Sequence, residues 1–195
     1  MAQALSGRET VQAAADLCRD CGICCSGVLF DRVRVERGDL DKHPDTDLIR
    51  PTPKDWALRL PCQFLNGTQC SIYADRPQRC HDYMCGQRRR VLNGEASAAS
   101  AQNAIAEVKA LIATLKTIAE TIDIGDFDEM GARRWGHALS KRIEKKLSSG
   151  EAITAGERTA LEQHFDLIAL TDRRFEETGR LNSVATLLAR VSDFV

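Results

Sequence analysis

The residues of this sequence best able to do chemistry are its eight cysteines, all of which lie within the first 85 positions. The first four form the run Cys18-x-x-Cys21-Gly22-x-Cys24-Cys25. Two-residue spacing lets a tight turn aim two sulfurs at one metal, and a glycine eases such a turn. Four cysteines in eight residues, with four more downstream, predict a bound metal ion or iron–sulfur cluster. The candidate metal ligands are Cys18, Cys21, Cys24, Cys25, Cys62, Cys70, Cys80 and Cys85.

The spacing leaves the number of metal sites open. Eight thiolates can complete two four-sulfur sites, or one site with cysteines to spare. The adjacent Cys24 and Cys25 are hard to place on one tetrahedral ion. If the run is helical, Cys18, Cys21 and Cys25 share a face and Cys24 points away from them.

The middle cysteines flank a predicted β-hairpin, because Asn66-Gly67 stands between two short apolar runs. A two-residue turn would pair Gln63 with Cys70. A three-residue loop that also includes Leu65 would place Cys62 opposite Cys70. We expect the second arrangement, because it brings two sulfurs together.

The last two cysteines follow a predicted helix start at Asp75–Pro77. Cys80 and Cys85 are five residues apart and would face different directions on one helix, which favours two destinations for the sulfurs. A four-thiolate zinc or four-iron site carries a net charge near −2. Nearby arginines can offset that charge, although we expect Arg88–Arg90 to lie on the solvated surface. These arginines are Arg76, Arg79, Arg88, Arg89 and Arg90.

The elements that must position these cysteines differ between the two halves of the chain. In the first half we expect a short helix over 11–18, a strand over 29–35 and an irregular, proline-rich segment over 43–61. After Cys85 there is neither Cys nor Pro. We therefore predict a cysteine-rich metal-binding region over 1–95 and a helical bundle over 96–195.

The second half is predicted to form three or four helices. Apolar residues recur every three or four positions from Ser97 to Ile122. Capping boxes at Asp126/Glu129 and Thr154/Glu157 predict two further helix starts. Gly150 and Gly179 are predicted stops, and a last short helix would carry Val184, Leu187, Leu188 and Val191. The fold class is mainly α: a cysteine-rich half with a small β-hairpin and short helices, packed on a helical bundle.

Composition narrows the classes of function. The chain has 195 residues, 43% hydrophobic residues and a formal net charge of −1. These values fit a globular protein and provide no broad positive surface for nucleic acid. We expect no membrane span and no signal peptide, hence a cytoplasmic protein. In that reducing compartment, clustered cysteines more often bind metal than form disulfides.

The cysteine pattern resembles a known family. The segments Cys18-x-x-Cys21-Gly22-x-Cys24-Cys25, Pro61-Cys62-x-Phe64-Leu65 and Cys70-Ser71-Ile72-Tyr73-x-x-Arg76-Pro77-x-x-Cys80 are similar to the CxxCxxCC (YkgJ-type) cysteine-cluster proteins, described as zinc- or iron-chelating. Flagellin lysine N-methylases are similar in the same motif. The resemblance covers about residues 15 to 90. It implies metal binding by the first seven cysteines and extends less firmly to Cys85.

Three functions follow as hypotheses. The first is an iron–sulfur protein, with a four-iron, four-sulfide cluster, in a redox, sensing or cluster-related role. The second is a zinc-binding structural protein whose helical half meets a protein partner. The third, by analogy with the flagellin methylases, is a metal-dependent protein-lysine methyltransferase-like enzyme; no catalytic residue is identified for it.

A few other side chains are candidates for roles near the metal or in the core. His81 follows Cys80 directly and is a further candidate ligand. Trp56 and Tyr73 are expected to pack around the metal site, and Trp135 between the helices.

Overall fold

The computed structural model describes residues 7–36 and 38–175, together with residues 187 and 191. The described residues form six α-helices, two small antiparallel sheets and one 3₁₀ turn at Tyr73–Asp75. The helices are α1 (Gly7–Cys21), α2 (Gln78–Asp82), α3 (Gly86–Leu92), α4 (Ala98–Ala119), α5 (Phe127–Ser149) and α6 (Ala155–Phe175). The strands are β1 (Arg32–Val35), β2 (Leu48–Thr52), β3 (Asp55–Arg59), β4 (Leu65–Asn66) and β5 (Gln69–Cys70). The mainly α class with a cysteine-rich first half is confirmed.

The three long helices begin where the sequence predicts, and α5 also ends at its predicted stop. α4 ends at Ala119, before the end of its predicted segment at Ile122. Ser97 caps α4, and its side chain accepts a hydrogen bond from the Ser100 N–H at 3.1 Å. Asp126 caps α5 in the same way, and Gly150, with φ 71°, ends it. Each cap satisfies backbone groups that a helix end leaves without a partner. The predicted stop at Gly179 and most of the predicted last helix lie outside the described residues.

The hydrophobic core fills the space between α4, α5 and α6. Trp135, Leu139, Ile143 and Leu161 are fully buried there, so Trp135 packs between helices as predicted. Leu187 and Val191 are helical and buried in the same core. The core also continues into the cysteine-rich half, and its members there include Ala14, Leu17, Cys21, Ile23, Val28 and Leu29. None of the helices in this described part of the chain is both long and apolar enough to cross a membrane.

The segment over 43–61 is not irregular, and that prediction was wrong. It supplies β2 and β3, which with β1 form a three-stranded antiparallel sheet in the order β1-β3-β2. Pro51 lies in β2, an edge strand, where proline is tolerated. Under this sheet lies a second, smaller apolar cluster of Val35, Leu40 and Leu58.

A close approach of two glycines joins the cysteine-bearing loop to α5. Gly131 has φ 71° and ψ 153°, a conformation open mainly to glycine, and it interrupts α5 near its start. A Cβ at Gly131 would lie 3.0 Å from the Gly27 Cα. The Arg133 N–H donates to the Gly27 carbonyl at 3.0 Å, just past this contact. The loop after Cys25 is thus fixed to the helical body by backbone contact.

Candidate metal centre

All eight cysteines line one cavity of about 330 Å³. Each is a free thiol, with Cys21 buried and the other seven partly buried. The described residues that line this cavity include six arginines and many apolar side chains, but no Asp, Glu or His. The donor set offered to a metal is therefore made of sulfur alone, which suits zinc and iron–sulfur clusters.

Four of the cysteines gather where the short helices meet the helical core. Cys18 and Cys21 lie one turn apart at the end of α1, and α3 packs against α1 directly after Cys85. Cys21 belongs to the main core, and Cys24 and Cys85 pack against it. We call Cys18, Cys21, Cys24 and Cys85 the core-side thiols.

The other four cysteines gather beside the sheets. The Cys62 N–H donates to the Cys25 carbonyl at 2.8 Å, which holds these two residues together. A turn closed by the Leu65 N–H and the Cys62 carbonyl, at 2.9 Å, leads from Cys62 into the hairpin that ends at Cys70. Cys80 lies in α2, which packs against β1. We call Cys25, Cys62, Cys70 and Cys80 the sheet-side thiols.

Electrostatic influences on the core-side thiols come mainly from within that group. Burial raises the pKa of Cys24 well above its usual value, and the charges of Cys85 and then Cys21 raise it further. Burial also raises the pKa of Cys21 to about 11, although the backbone N–H of Ile23 opposes the rise. Cys85 behaves alike: burial raises its pKa, and the Arg88 backbone N–H works against that effect.

The sheet-side thiols influence one another in the same way. Burial raises the pKa of Cys25 to about 12, followed by the charges of Cys62, Cys80 and Cys70. Burial raises the pKa of Cys80 to about 11, and Cys62 adds to the rise. Because a neutral thiol is a poor nucleophile, the raised pKa values of Cys25 and Cys80 disfavour nucleophilic attack by these two thiols at neutral pH. Each of these thiols must lose its proton when it binds a metal.

The structure corrects the predicted geometry of the first cysteine run. The helix ends at Cys21 rather than continuing, because Gly22 is left-handed with φ 72° and a turn follows in which the Cys25 N–H donates to the Gly22 carbonyl. Cys24 consequently joins Cys18 and Cys21, and Cys25 turns away, which is the reverse of the helical expectation.

Neither predicted hairpin register is correct. Leu65 pairs with Cys70 and Asn66 with Gln69, so the turn residues are Gly67 and Thr68. Cys62 lies before the hairpin rather than within it. Cys62 and Cys70 are still neighbours, since the charge of Cys70 raises the Cys62 pKa after burial, which is the larger cause.

Several flanking side chains differ from expectation. Arg88 lines the cavity, and Arg90 donates to the Arg174 carbonyl at 2.6 Å. Of the three residues Arg88–Arg90 that were expected on the surface, Arg89 alone is exposed. Arg32 and Arg34, which the sequence analysis missed, also line the cavity. Arg32 and Arg34 alternate with valines in β1, which places the two arginines on the same face of the strand.

Of the other side chains expected near the metal site, one lines the cavity and two do not. His81 is exposed and lies outside the cavity. Trp56 is 41% exposed and stacks under Arg50, whereas Tyr73 does line the cavity. The prediction for Tyr73 is confirmed, and that for Trp56 was wrong.

The sulfurs are gathered but not drawn tightly onto one point. Among the described residues, no group of three or more His, Cys, Asp or Glu side chains is arranged as the ligands of a bound metal ion. The chemistry of the donor set nevertheless fits a metal, because each of the two groups supplies four thiols, the number that zinc and four-iron clusters require.

Gly22→Ala is expected to weaken both the fold and metal retention. A Cβ at Gly22 would lie 3.0 Å from the Thr68 carbonyl oxygen and 3.1 Å from its Cα, and the residue is left-handed. The strained backbone alone costs about 1–2 kcal/mol. The clash must also separate α1 from the hairpin. Urea unfolding and metal content per chain measure the two effects.

Gly94→Ala is the matched control for this substitution. Gly94 has φ 73°, and nothing lies within 4 Å of its added Cβ. The Gly94→Ala variant should lose only the stability that the strained backbone costs, and it should keep its metal. Equal metal loss in the two variants would show that the clash between residue 22 and Thr68 is not the cause of the metal loss.

Metal binding is expected to release close to one proton per thiol at neutral pH. The raised pKa values of Cys21, Cys25 and Cys80 keep these groups protonated up to about pH 11, so bound metal must expel their protons. Apparent affinity should accordingly rise with pH over this whole range. Titrating Zn²⁺ into metal-free protein in weak buffer should release about four protons per ion. A release nearer two per ion would show that other ligands take part.

Residues 17–103 match the family CxxCxxCC, whose description is "Putative zinc- or iron-chelating domain". The matched segment contains all eight cysteines and extends into α4. No curated protein and no solved structure matches the chain. Residues 17–103, somewhat less than half of the chain, are therefore similar to the domain of this family, which is described as zinc- or iron-chelating.

Proposed function

We propose that the chain is an iron–sulfur protein that binds a four-iron, four-sulfide centre through cysteine thiolates and serves in electron transfer, redox sensing or cluster handling. One observation carries the proposal: eight thiols converge on one cavity whose described lining has no carboxylate or imidazole. Four-iron clusters take four cysteine ligands, so each group of four has the right donor set.

The size of the cavity favours a cluster over a single ion. A volume of about 330 Å³ is many times the roughly 10–15 Å³ that one water molecule occupies on the same kind of measure. A cluster of several metals and sulfides spans more space than one ion and is held by sulfurs that stand farther apart.

The charge on the wall suits an anionic cluster. A four-iron cluster with four thiolates carries a net charge near −2 in its oxidised form. Six arginines line the cavity, and they are Arg19, Arg32, Arg34, Arg76, Arg79 and Arg88. Arg76 opposes the rise in the Cys80 pKa, which places its positive charge close to a sheet-side sulfur.

Much of the remaining wall is apolar. Phe30, Leu58, Leu60 and Ile72 line the cavity beside the sulfurs, and Phe30 is held edge-on against Tyr83 with ring centroids 5.0 Å apart. Solvent access and the polarity around a cluster set its reduction potential. Hydrolysis, by contrast, needs an open metal position and a base, and the described wall supplies no carboxylate or imidazole for it.

Metal and sulfide analysis of protein purified without oxygen tests the proposal. We expect iron and acid-labile sulfide in equal amounts, with visible absorption that dithionite bleaches. Zinc without sulfide, in protein that stays colourless, would overturn it. That second result would support a zinc-bound scaffold, which four-thiolate groups also suit.

A further inference from the structure

We propose that the chain holds two separate metal centres side by side: one on the core-side thiols Cys18, Cys21, Cys24 and Cys85, the other on the sheet-side thiols Cys25, Cys62, Cys70 and Cys80. The inference deepens the proposed function and rests on it for the identity of the metal. The division into two centres rests on the chain's own contacts.

The backbone separates the two groups at the peptide bond between Cys24 and Cys25. The turn that starts at the left-handed Gly22 holds Cys24 against the helical core. The next residue, Cys25, pairs through its carbonyl with the Cys62 N–H at 2.8 Å and so belongs beside the hairpin. Adjacent residues that are hard to place on one centre therefore each serve a different one.

Cys80 and Cys85 separate in the same way at the other end of the site. α2 ends at Asp82 and α3 begins at Gly86, so the two cysteines lie on different elements. α2 packs on β1, whereas α3 packs on α1 and α4. This break gives each group its fourth sulfur and leaves none over.

The electrostatic effects of the thiols on one another follow the same division into two groups. The strongest thiol neighbour of Cys24 and of Cys21 is Cys85, and the strongest thiol neighbour of Cys25 and of Cys80 is Cys62. The two groups approach each other at Cys25, whose charge acts on Cys24 and on which the charge of Cys18 acts in turn. The two centres would thus be neighbours within one cavity, close enough to interact magnetically.

The two centres also differ in their surroundings. Three of the core-side thiols, Cys21, Cys24 and Cys85, contact the main hydrophobic core, and Lys109 of α4 acts on Cys21. The sheet-side thiols lie near the small cluster of Val35, Leu40 and Leu58, with Arg76 and Asp39 both acting on Cys80. Different burial and different net charge predict two distinguishable spectroscopic signals.

The experiment compares wild type with Cys85→Ala and Cys70→Ala, each purified without oxygen. Iron, zinc and sulfide per chain are measured, with electron paramagnetic resonance after dithionite reduction. For wild type we expect about eight iron atoms, two four-iron clusters, with spectra broadened by coupling between two reduced centres. Each variant should keep about half the metal and show one uncoupled signal, different in the two variants.

The wild-type measurement needs no variant to be decisive. One cluster per chain with an uncoupled signal would overturn the two-centre inference and leave the iron–sulfur proposal standing. Two zinc ions per wild-type chain, falling to one in each variant, would support two centres and overturn the iron assignment. A folded variant that loses all metal, or none, would overturn the partition. If Cys85→Ala does not fold, Cys18→Ala tests the same group.

Discussion

Removing the metal is expected to unfold the sheet-bearing part of the cysteine-rich half while the three long helices remain folded. The small apolar cluster below the sheet contains only three buried residues, Val35, Leu40 and Leu58. α4, α5 and α6 share a much larger core around Trp135. In small metal-dependent domains the metal contributes about 10–16 kcal/mol, more than such a cluster supplies.

The buried thiols make the metal-free state still less favourable. Burial raises the pKa of Cys24 and of Cys25, so without metal these two thiols would be buried as neutral groups and would lack the bonds that hold them in place. The elements that lie beside the sheet-side cysteines should loosen first. These elements are β1, β2, β3, the β4–β5 hairpin and α2.

Hydrogen exchange on protein before and after chelation measures this directly, with a reductant present to keep the thiols free. Amides of β1–β3 and the hairpin should lose protection by several orders of magnitude, and those of α4–α6 should keep theirs. Mock-treated protein is the control, and adding the metal back should restore protection. A sheet that stays protected, or helices that lose protection with it, would contradict the expectation.

The long helices could be predicted from sequence because their signals are local. Apolar residues every three or four positions, a Ser or Asp at the start and Gly150 at the end together fix α4 and α5. What the sequence did not reveal is the interruption at Gly131. In the sequence Gly131 is a single glycine within a helical pattern. The interruption is explained by its contact with Gly27, a residue 104 positions earlier in the chain.

The sheet was missed because its signals conflict. Prolines over 51–61 argue against a strand, yet β2 is an edge strand where proline is tolerated. The hairpin register was wrong because the choice was made to bring two sulfurs opposite each other. The structure brings Cys62 near Cys70 by a turn outside the ladder instead.

The site was predictable in its chemistry and not in its partition. Residue type and clustering single out the cysteines as candidate ligands, since clustered cysteines at short spacing are typical of metal sites. Which thiol joins which group depends on where α1 stops and on the break between α2 and α3. Those are consequences of packing against the hairpin and the core, which spacing along the chain does not encode.

Glu157→Gln is expected to destabilise the helical body by about 3 kcal/mol, because it breaks a buried ion pair. The Glu157 side chain is 2% exposed and accepts from Lys146, 10% exposed, at 2.9 Å. Arg142 donates to the other carboxylate oxygen at 2.8 Å. Both cations lie in α5 and Glu157 in the first turn of α6, so the pairs join the two helices.

The Glu157→Gln variant separates the contribution of the ion pairs from that of the helix cap. Glu157 and Thr154 form the predicted capping box: the Thr154 N–H donates to the carboxylate at 2.9 Å, and the Glu157 N–H donates to the Thr154 hydroxyl at 3.1 Å. A glutamine can keep both bonds. Glu151→Ala is the control, since Glu151 pairs with the same lysine at 3.4 Å but is 63% exposed, and it should cost less than about 1 kcal/mol.

The pH dependence of unfolding gives an independent reading of the same ion pair. Burial works to raise the Glu157 pKa and is the largest single influence, but the Thr154 N–H and Lys146 together outweigh it, so the pKa is lowered. A lowered pKa means that this stabilisation is complete above the usual glutamate pKa, near 4.5, and is lost as the pH falls through the folded-state value. Urea unfolding between neutral pH and about pH 3 should therefore show a steeper acid loss in wild type than in Glu157→Gln. Parallel curves would mean that the cap, rather than the charge, holds α6 to α5.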